Sequence, residues 1–136
     1  MKTSQDLIAR LRSAGGKLTP QRLFLFRALE HAHSHPSAED LYDKVRVDLP
    51  SLSLGTVYKT LAELVDLGEV QTVETGDGRT HYDPNMEPHA HLHCRRCGRL
   101  ADVSLDVVNV EAPVEVDGFV ITGQRLVLEG YCRTCR

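Results

Sequence analysis

The stretch "SLSLGTVYKTLAELVDLGEVQTVETGDGRTHYDP", residues 51–84, decides the fold of the first half of the chain. Ser53 is a natural N-cap and Gly68 fits the position after a helix end, so a helix is predicted between them. The segments "EVQTVET" and "RTHYDP" flank the tight turn "GDG" and predict a two-stranded hairpin. The apolar face of the helix repeats at helical spacing: Val57, Leu61, Leu64 and Val65.

Three further helices are predicted before this stretch. The first covers residues 7–14 and ends at the glycine pair "GG". The second should run over residues 20–30, because Thr19 is a natural N-cap and a proline fits the first helical position. The third, "AEDLYDKVRVDL", is capped by Ser37 and stops before Pro50. Helices followed by a hairpin indicate a winged helix-turn-helix domain.

Such a domain predicts a DNA-binding surface. In winged helix-turn-helix modules the second helix of the motif presents its first residues to base edges, and basic residues elsewhere meet phosphates. Residues 1–29 hold six basic side chains against one acidic, although the chain has a net charge of −3. This excess favours a polyanion, or it forms only a solvated helix face. The candidate contacts are Thr56, Tyr58 and Lys59 on the fourth helix, Lys17 and Arg22 at the DNA backbone, and Arg79 on the wing. Tyr58 could equally be a half-buried packing residue.

The character of the sequence changes after Pro84. Beyond a short linker, residues 84–88, the runs "HAHLHC", "RLADVSL" and "FVITGQRLVLEGYC" are alternating or rich in β-branched residues. They predict a small sheet with little helix. The predicted organisation is therefore α+β, with a winged-helix domain at residues 1–83 and a second domain at residues 89–136.

The four cysteines predict a structural zinc site. The chain starts without a continuous apolar run and has no segment of about 18 apolar residues, so we expect a cytoplasmic protein without a membrane span. In that setting disulfides are disfavoured. Two C-x-x-C pairs match a closed tetrahedral site made from two knuckles, which leaves no position open for catalysis. The predicted ligands are Cys94, Cys97, Cys132 and Cys135.

The histidines of "HAHLHC" predict a second metal centre. In a strand His89, His91 and His93 share one face, whereas Cys94 takes the other, so these histidines cannot easily join the cysteine site. Asp83, Asp102 and His35 are candidates for the remaining ligands. Imidazoles mixed with carboxylates suit iron, manganese, zinc or nickel.

The ordered motifs "KLTPQR", "HPSAEDLY", "SLGTVYKTLAEL" and "H-x-H-x-x-C-x-x-C-G" resemble the ferric uptake regulator family of dimeric, metal-dependent repressors. The resemblance covers residues 18–103 and 118–135 and is strongest to the peroxide-sensing regulators. It implies a homodimer that binds a double-stranded DNA operator. It also implies that the second domain is a small α/β dimerisation domain with a zinc knuckle.

The same resemblance implies the ligands and the mechanism of the second metal centre. Peroxide-sensing members hold a regulatory iron or manganese with three histidines and two aspartates. The iron-sensing branch usually has glutamates in place of the two aspartates. Oxidation of ligand histidines, here His35 and His89, releases the metal and the DNA. Matched motif to motif, the five ligands are His35, Asp83, His89, His91 and Asp102.

Two departures from the family pattern affect these expectations. His93 occupies a position that is usually apolar, so it either extends the regulatory site or faces solvent. The segment "SLDVVNVEAPVEVDG" is shorter than the dimerisation helix of the family, and Pro113 should break or shorten a helix there. The dimer geometry is therefore less well defined by the sequence than the metal sites.

Three other functions are compatible with parts of the sequence. An iron, manganese or zinc uptake regulator would use the same ligands. A metallohydrolase would need an open metal position and a nearby base, and no H-E-x-x-H or similar motif is present, so we expect no catalytic residues. A plain zinc-ribbon adaptor would leave His35, Asp83 and Asp102 without a purpose.

Overall fold

The computed structural model describes residues 3–32, 35–108 and 113–136. The chain divides into two compact units, Met1–Met86 and Glu87–Arg136, which we call unit 1 and unit 2. Unit 1 contains four helices and a hairpin, and unit 2 contains short strands and turns. The mixed α+β class predicted from the sequence is confirmed.

Each helix of unit 1 begins at a side chain that caps its first turn. The hydroxyl oxygens of Thr3, Thr19, Ser37 and Ser53 each accept a hydrogen bond from the backbone N–H three residues later. Such caps satisfy backbone donors that have no partner within the helix. The helices are α1 (Ser4–Ser13), α2 (Pro20–Glu30), α3 (Ala38–Val45) and α4 (Leu54–Asp66). The predicted caps at Thr19, Ser37 and Ser53 are confirmed.

The prediction for the third helix was too long. It was expected to continue to residue 49, but α3 ends at Val45, and the next residues form a turn in which the N–H groups of Asp48 and Leu49 donate to the Val45 carbonyl. Pro50 disfavours the helical conformation for the residue before it. The side chain of Val47 is 76% exposed, so packing does not stabilise another helical turn.

The core of unit 1 is aliphatic. The predicted inner face of α4 is confirmed, because Val57, Leu61 and Leu64 are fully buried and Val65 packs at the edge of the cluster. The other helices contribute residues at helical spacing. The largest fully buried side chains from these helices are Leu7, Leu25, Phe26, Leu29 and Leu41. Hydrophobic burial therefore fixes how α4 lies on α2 and α3.

The hairpin forms the wing. Strands β1 (Gln71–Glu74) and β2 (Thr80–Asp83) pair antiparallel, and the turn between them uses Gly76 and Gly78, both with a φ of +81°. The Tyr82 N–H donates to the Pro36 carbonyl over 2.8 Å. The wing is therefore attached to the segment that enters α3.

Unit 2 is a three-stranded sheet with an additional small hairpin. Strands β3 (His89–Cys94) and β4 (Leu100–Ser104) are antiparallel, and β7 (Val127–Gly130) pairs with β3 in parallel. Strands β5 (Glu115–Val116) and β6 (Phe119–Val120) form the hairpin. The predicted single run over residues 119–132 is thus two strands.

The dimerisation helix of the family, which Pro113 was expected to break or shorten, has no counterpart in the part of unit 2 that the structure describes, residues 87–108 and 113–136, which contains no helix. Residues 104–108 form a turn, because the Val107 N–H donates to the Ser104 carbonyl and the Val108 N–H to the Leu105 carbonyl. Residues 109–112 of the predicted segment lie outside the described residues.

No helix within the described ranges is both long and apolar enough to cross a lipid bilayer.

Leu61→Ala tests the role of the α4 core. The Leu61 side chain is fully buried, so truncation should lower the free energy of unfolding by about 2–5 kcal/mol. Chemical denaturation followed by far-UV circular dichroism measures this loss. Val47→Ala, at an exposed position, is the control and should change stability by less than about 0.5 kcal/mol. Equal effects of the two variants would contradict the described packing.

Candidate metal centres and DNA-binding surface

The four cysteines converge in unit 2. One sulfur from each of the four lies within 4.8 Å of the others, and all four are free thiols. The Cys97 and Cys132 sulfurs are 3.8 Å apart, far beyond the roughly 2 Å of a disulfide. A tetrahedral zinc ion with Zn–S bonds of about 2.3 Å separates its sulfurs by about 3.8 Å. The cluster therefore fits a Cys₄ zinc site.

Strand pairing brings the two cysteine pairs together. Cys94 ends β3 and lies opposite Gly130 in the parallel register, so the chain leaving β7 reaches Cys132 beside it. The Cys132 N–H donates to the Cys94 sulfur over 3.4 Å. Gly98, with a φ of +77°, donates its N–H to the Cys94 carbonyl and closes the first knuckle. The second knuckle is closed by the Cys135 N–H, which donates to the Cys132 carbonyl.

The thiols of the cluster have divergent acidities. Hydrogen bonds from backbone N–H groups, that of Cys97 above all, lower the pKa of Cys94 to about 5. The Cys135 thiol is hydrogen-bonded to Cys132, and this contact raises the pKa of Cys135 to about 12 and lowers the pKa of Cys132. The Cys94 thiol is therefore more acidic than the Cys135 thiol. A divalent cation would supply the positive charge that four adjacent thiolates need.

Two of the five predicted regulatory ligands meet in unit 1. The His35 Nε2 atom is 3.2 Å from the Asp83 Oδ2 atom, and the two side chains are only 6% and 4% exposed. The other carboxylate oxygen of Asp83 accepts a hydrogen bond from the Asn85 N–H. The backbone carbonyl of His35 is 2.9 Å from the Nδ1 atom of His81, a residue of β2. Both ligands are thus held by their neighbours.

The other three predicted ligands meet in unit 2. His91 lies opposite Asp102 in the antiparallel register of β3 and β4, and His89 is two residues away on the same face. The Nε2 atoms of His89 and His91 are 3.4 and 3.5 Å from the Asp102 Oδ1 atom and 3.1 Å from each other. Two imidazole nitrogens and a carboxylate oxygen that converge in this way suit a borderline divalent cation.

His93 is not among the residues whose metal-ligating atoms converge in the described structure. Its Nδ1 atom is buried and has no hydrogen-bond partner among the described residues. Its neighbours across the sheet are Leu100 on β4 and Glu129 on β7. The structure therefore does not give His93 a role in metal binding.

Four of the six predicted DNA-contact residues line one cleft in unit 1. Its volume is about 420 Å³, and its walls come from the segment before α2, the start of α2 and the outer face of α4. The four are Lys17, Arg22, Thr56 and Lys59. The other two predicted contacts, Tyr58 and Arg79, have side chains that are 42% and 57% exposed.

Several of these side chains already have polar partners within unit 1. Arg22 is only 16% exposed and bonds to the Lys17 carbonyl and to the Glu63 carboxylate. The Thr56 hydroxyl is 2.9 Å from that of Ser53, which caps α4. The sequence did not predict the carboxylate partners of the DNA-contact residues, because they lie on other helices.

A winged helix-turn-helix, a Cys₄ cluster and convergent His/Asp ligands are the features of metal-responsive DNA-binding regulators. Residues 13–129 match the model of the Ferric uptake regulator family. The chain belongs to this family. The peroxide-responsive repressor PerR of Staphylococcus aureus is 33% identical over 134 residues, which make up 97% of this chain and 90% of that protein.

Solved structures of two regulators are similar to the whole chain. The Campylobacter jejuni peroxide stress regulator is 28% identical with a TM-score of 0.68, and the match covers 99% of this chain and 100% of that one. The Vibrio cholerae ferric uptake regulator is 29% identical with a TM-score of 0.70, covering 93% and 100%. The predicted resemblance to the family and to its peroxide-responsive members is therefore confirmed, and the solved structures similar to the chain include both a peroxide stress regulator and a ferric uptake regulator.

Cys97→Ser tests the zinc site. Loss of one thiolate ligand should reduce bound zinc from about one ion per chain to a small fraction and should lower the unfolding temperature. Elemental analysis and a thermal melt of the purified protein measure the two effects. Thr134→Ser, an exposed change within the second knuckle, is the control and should leave both unchanged. A Cys97→Ser protein with full zinc and an unaltered melt would contradict the assignment.

Proposed function

We propose that this protein is a metal-dependent transcriptional repressor that senses peroxide through oxidation of ligand histidines. It would derepress genes of oxidative stress or metal homeostasis. The observation that carries the proposal is the convergence of His89, His91 and Asp102. This group offers nitrogen and oxygen donors to a metal, whereas the cysteine cluster offers only sulfur. The Staphylococcus aureus relative, named a peroxide-responsive repressor, supports the same function.

The regulatory ion is proposed to be Fe²⁺ or Mn²⁺. Its ligands are His35 and Asp83 of unit 1 together with His89, His91 and Asp102 of unit 2. The short distances within each group, and the chemistry of its donor atoms, support this set. Zinc is proposed for the four thiolates, where it would stabilise unit 2.

Peroxide sensing would depend on the loss of a metal-binding nitrogen atom when a ligand histidine is oxidised. Ferrous iron held by these ligands would supply the redox chemistry by which hydrogen peroxide oxidises a ligand ring, one oxygen atom going to the ring and the other leaving as water. His35 and His89 are the proposed targets, and both side chains are only 6% exposed, which keeps bulk solvent from competing for the oxidant. An oxidised ring no longer offers the same nitrogen donor. The protein would then bind the metal more weakly. Because the metal binds more tightly to the DNA-binding state of the protein, loss of the metal would lower the population of that state.

The DNA-binding role is proposed for residues 1–83 and the dimerisation role for residues 89–136, with residues 84–88 as the linker between them. In unit 1, α4 would enter the major groove of an operator while the cleft and the wing meet phosphates. Unit 2 exposes several large apolar side chains, and within its described residues the buried apolar side chains are those of Ala90, Cys94 and Leu100. Pairing with a second copy would cover this surface. The exposed set includes Leu92, Leu128, Tyr131, Phe119 and Val120.

A cytoplasmic location is proposed together with this function. The operator lies in the same compartment, and four free thiols need a reducing environment.

The second candidate function is an iron, manganese or zinc uptake regulator. The structure of the Vibrio cholerae ferric uptake regulator is as similar to the chain, in sequence identity and TM-score, as that of the Campylobacter jejuni peroxide regulator. This similarity supports the second candidate function. Such a protein would respond to the concentration of its metal and not to peroxide.

Peroxide treatment distinguishes the two functions. Protein loaded with Fe²⁺ and exposed to a small excess of peroxide should gain the mass of one oxygen atom on the peptide that holds His35 or His89, and it should lose DNA binding. The Mn²⁺ form is the control and should show neither change. Peptide mass spectrometry and a gel-shift assay on the same samples measure the outcome. Unmodified histidines with DNA binding intact would instead support the uptake regulator.

A further inference from the structure

Three of the side chains proposed to contact DNA are engaged by carboxylates in the free protein. The Tyr58 hydroxyl donates to Glu39, the Arg22 guanidinium bonds to Glu63, and the Arg79 guanidinium lies 3.9 Å from Asp40. These pairs link α4 to α3, α2 to α4 and the wing to α3. A DNA phosphate would approach the same donors.

The pair formed by Arg22 and Glu63 lies inside the basic cleft. The Arg22 Nη2 atom is 2.5 Å from the Glu63 Oε2 atom, and Nη1 donates to the Lys17 carbonyl over 3.0 Å. The guanidinium therefore has an acceptor on each side. Because Glu63 also lines the cleft with Lys17 and Lys59, its negative charge opposes a phosphate at that place.

The pair formed by Tyr58 and Glu39 lies at the start of the proposed recognition helix. Tyr58 is 42% exposed on α4, and its hydroxyl donates to a carboxylate in the first turn of α3. This hydrogen bond lowers the pKa of Glu39 and raises the pKa of Tyr58, so the glutamate is charged at neutral pH. Arg79 further lowers the pKa of Glu39.

Asp40 differs from the two glutamates because it has a structural task. Its carboxylate accepts the Ser37 N–H and completes the capping box of α3. Replacing Asp40 would therefore weaken α3 itself. Glu63 is not part of a helix cap. Glu39 lies in the first turn of α3, where its carboxylate also accepts hydrogen bonds from its own backbone N–H and from the Ser37 side chain, so it is replaced by Gln, which keeps an acceptor oxygen.

We propose that Glu39 and Glu63 determine specificity by competing with DNA for Tyr58 and Arg22. The inference rests on the proposed DNA-binding function. Non-specific DNA offers mainly phosphates, which the two carboxylates repel. An operator also offers base edges that replace the lost acceptor of Tyr58, and these base contacts fix the register in which a phosphate meets Arg22, so only there is displacement of both carboxylates fully compensated.

The test measures DNA binding by Glu39→Gln and Glu63→Gln in the full-length protein loaded with zinc and Mn²⁺. The probes are a random-sequence 30-base-pair duplex and a duplex selected from a random pool by the wild-type protein. Each variant should bind the random duplex about three- to tenfold more tightly at 0.1 M salt and the selected duplex less than about twofold more tightly. The specificity ratio, which is the affinity for the selected duplex divided by the affinity for the random duplex, should therefore be lower in each variant than in the wild-type protein.

Asp66→Asn is the matched control. Asp66 is exposed at the last position of α4, about 12 Å along the helix from Tyr58, and its replacement changes the net charge by the same amount. It should alter the specificity ratio by less than about twofold. An equal fall in the control would show that net charge alone is responsible and would overturn the proposal.

A double-mutant cycle tests whether each glutamate acts through its partner. The gain caused by Glu63→Gln should be clearly smaller when Arg22 is also changed to Ala, and the gain caused by Glu39→Gln should be clearly smaller with Tyr58→Phe, because only the direct repulsion of phosphates then remains. Additive effects would contradict the proposed competition. Thermal melts confirm that each variant is folded, and the two pairs are independent, so loss of one variant to misfolding leaves the other test intact.

The outcomes separate this inference from the function on which it rests. If the Mn²⁺-loaded wild-type protein selects no duplex from the pool, the DNA-binding proposal fails. If it selects a duplex but both variants keep the wild-type specificity ratio, only the role of Glu39 and Glu63 fails.

Discussion

The parallel pairing of β3 with β7 is the constraint on which unit 2 depends. It places Cys94 opposite Gly130, and from there the chain needs only two more residues to bring Cys132 to the same point. Parallel neighbours require a long connection, here residues 95–126, so the pairing is costly in chain entropy. The described part of unit 2 buries little apolar surface to offset that cost. Four thiolates around one zinc ion provide a strong local interaction at the end of the pairing.

Unit 1 obtains its order from different sources. Four side-chain caps fix where the helices begin, and a continuous aliphatic cluster fixes how they pack. The proposed DNA-reading helix α4 is therefore rigid, with Val57, Leu61 and Leu64 anchored in the core and Tyr58 and Lys59 on the outside. The wing is attached separately, through the bond from Tyr82 to Pro36. A DNA-binding surface held in place by the core suits a protein whose proposed regulatory metal binds elsewhere in the chain.

Local features were predictable from the sequence because they rest on local chemistry. Caps such as Thr19 and Ser53, the face of α4 and strand β3 all follow from spacing and residue type. The error at the end of α3 arose because an apolar residue, Val47, continues the helical pattern without being buried. The split of the last predicted strand and the acidic partners of Arg22 and Tyr58 depend on contacts distant in sequence. The spacing of apolar and polar residues along the sequence gives no information about such contacts. The joint use of the five regulatory ligands remains a prediction.

The first cysteine knuckle has a consequence for the spacing of the proposed regulatory donors. The N–H of Cys94 bonds to the Arg99 carbonyl, and the N–H of Gly98 bonds to the Cys94 carbonyl, so the knuckle sets the register in which β4 returns along β3. That register puts Asp102 opposite His91. Zinc on the thiolates would stabilise this register and, with it, the spacing of the proposed regulatory donors. A chain without its zinc would hold this register less firmly, so the proposed regulatory donors would bind their metal more weakly.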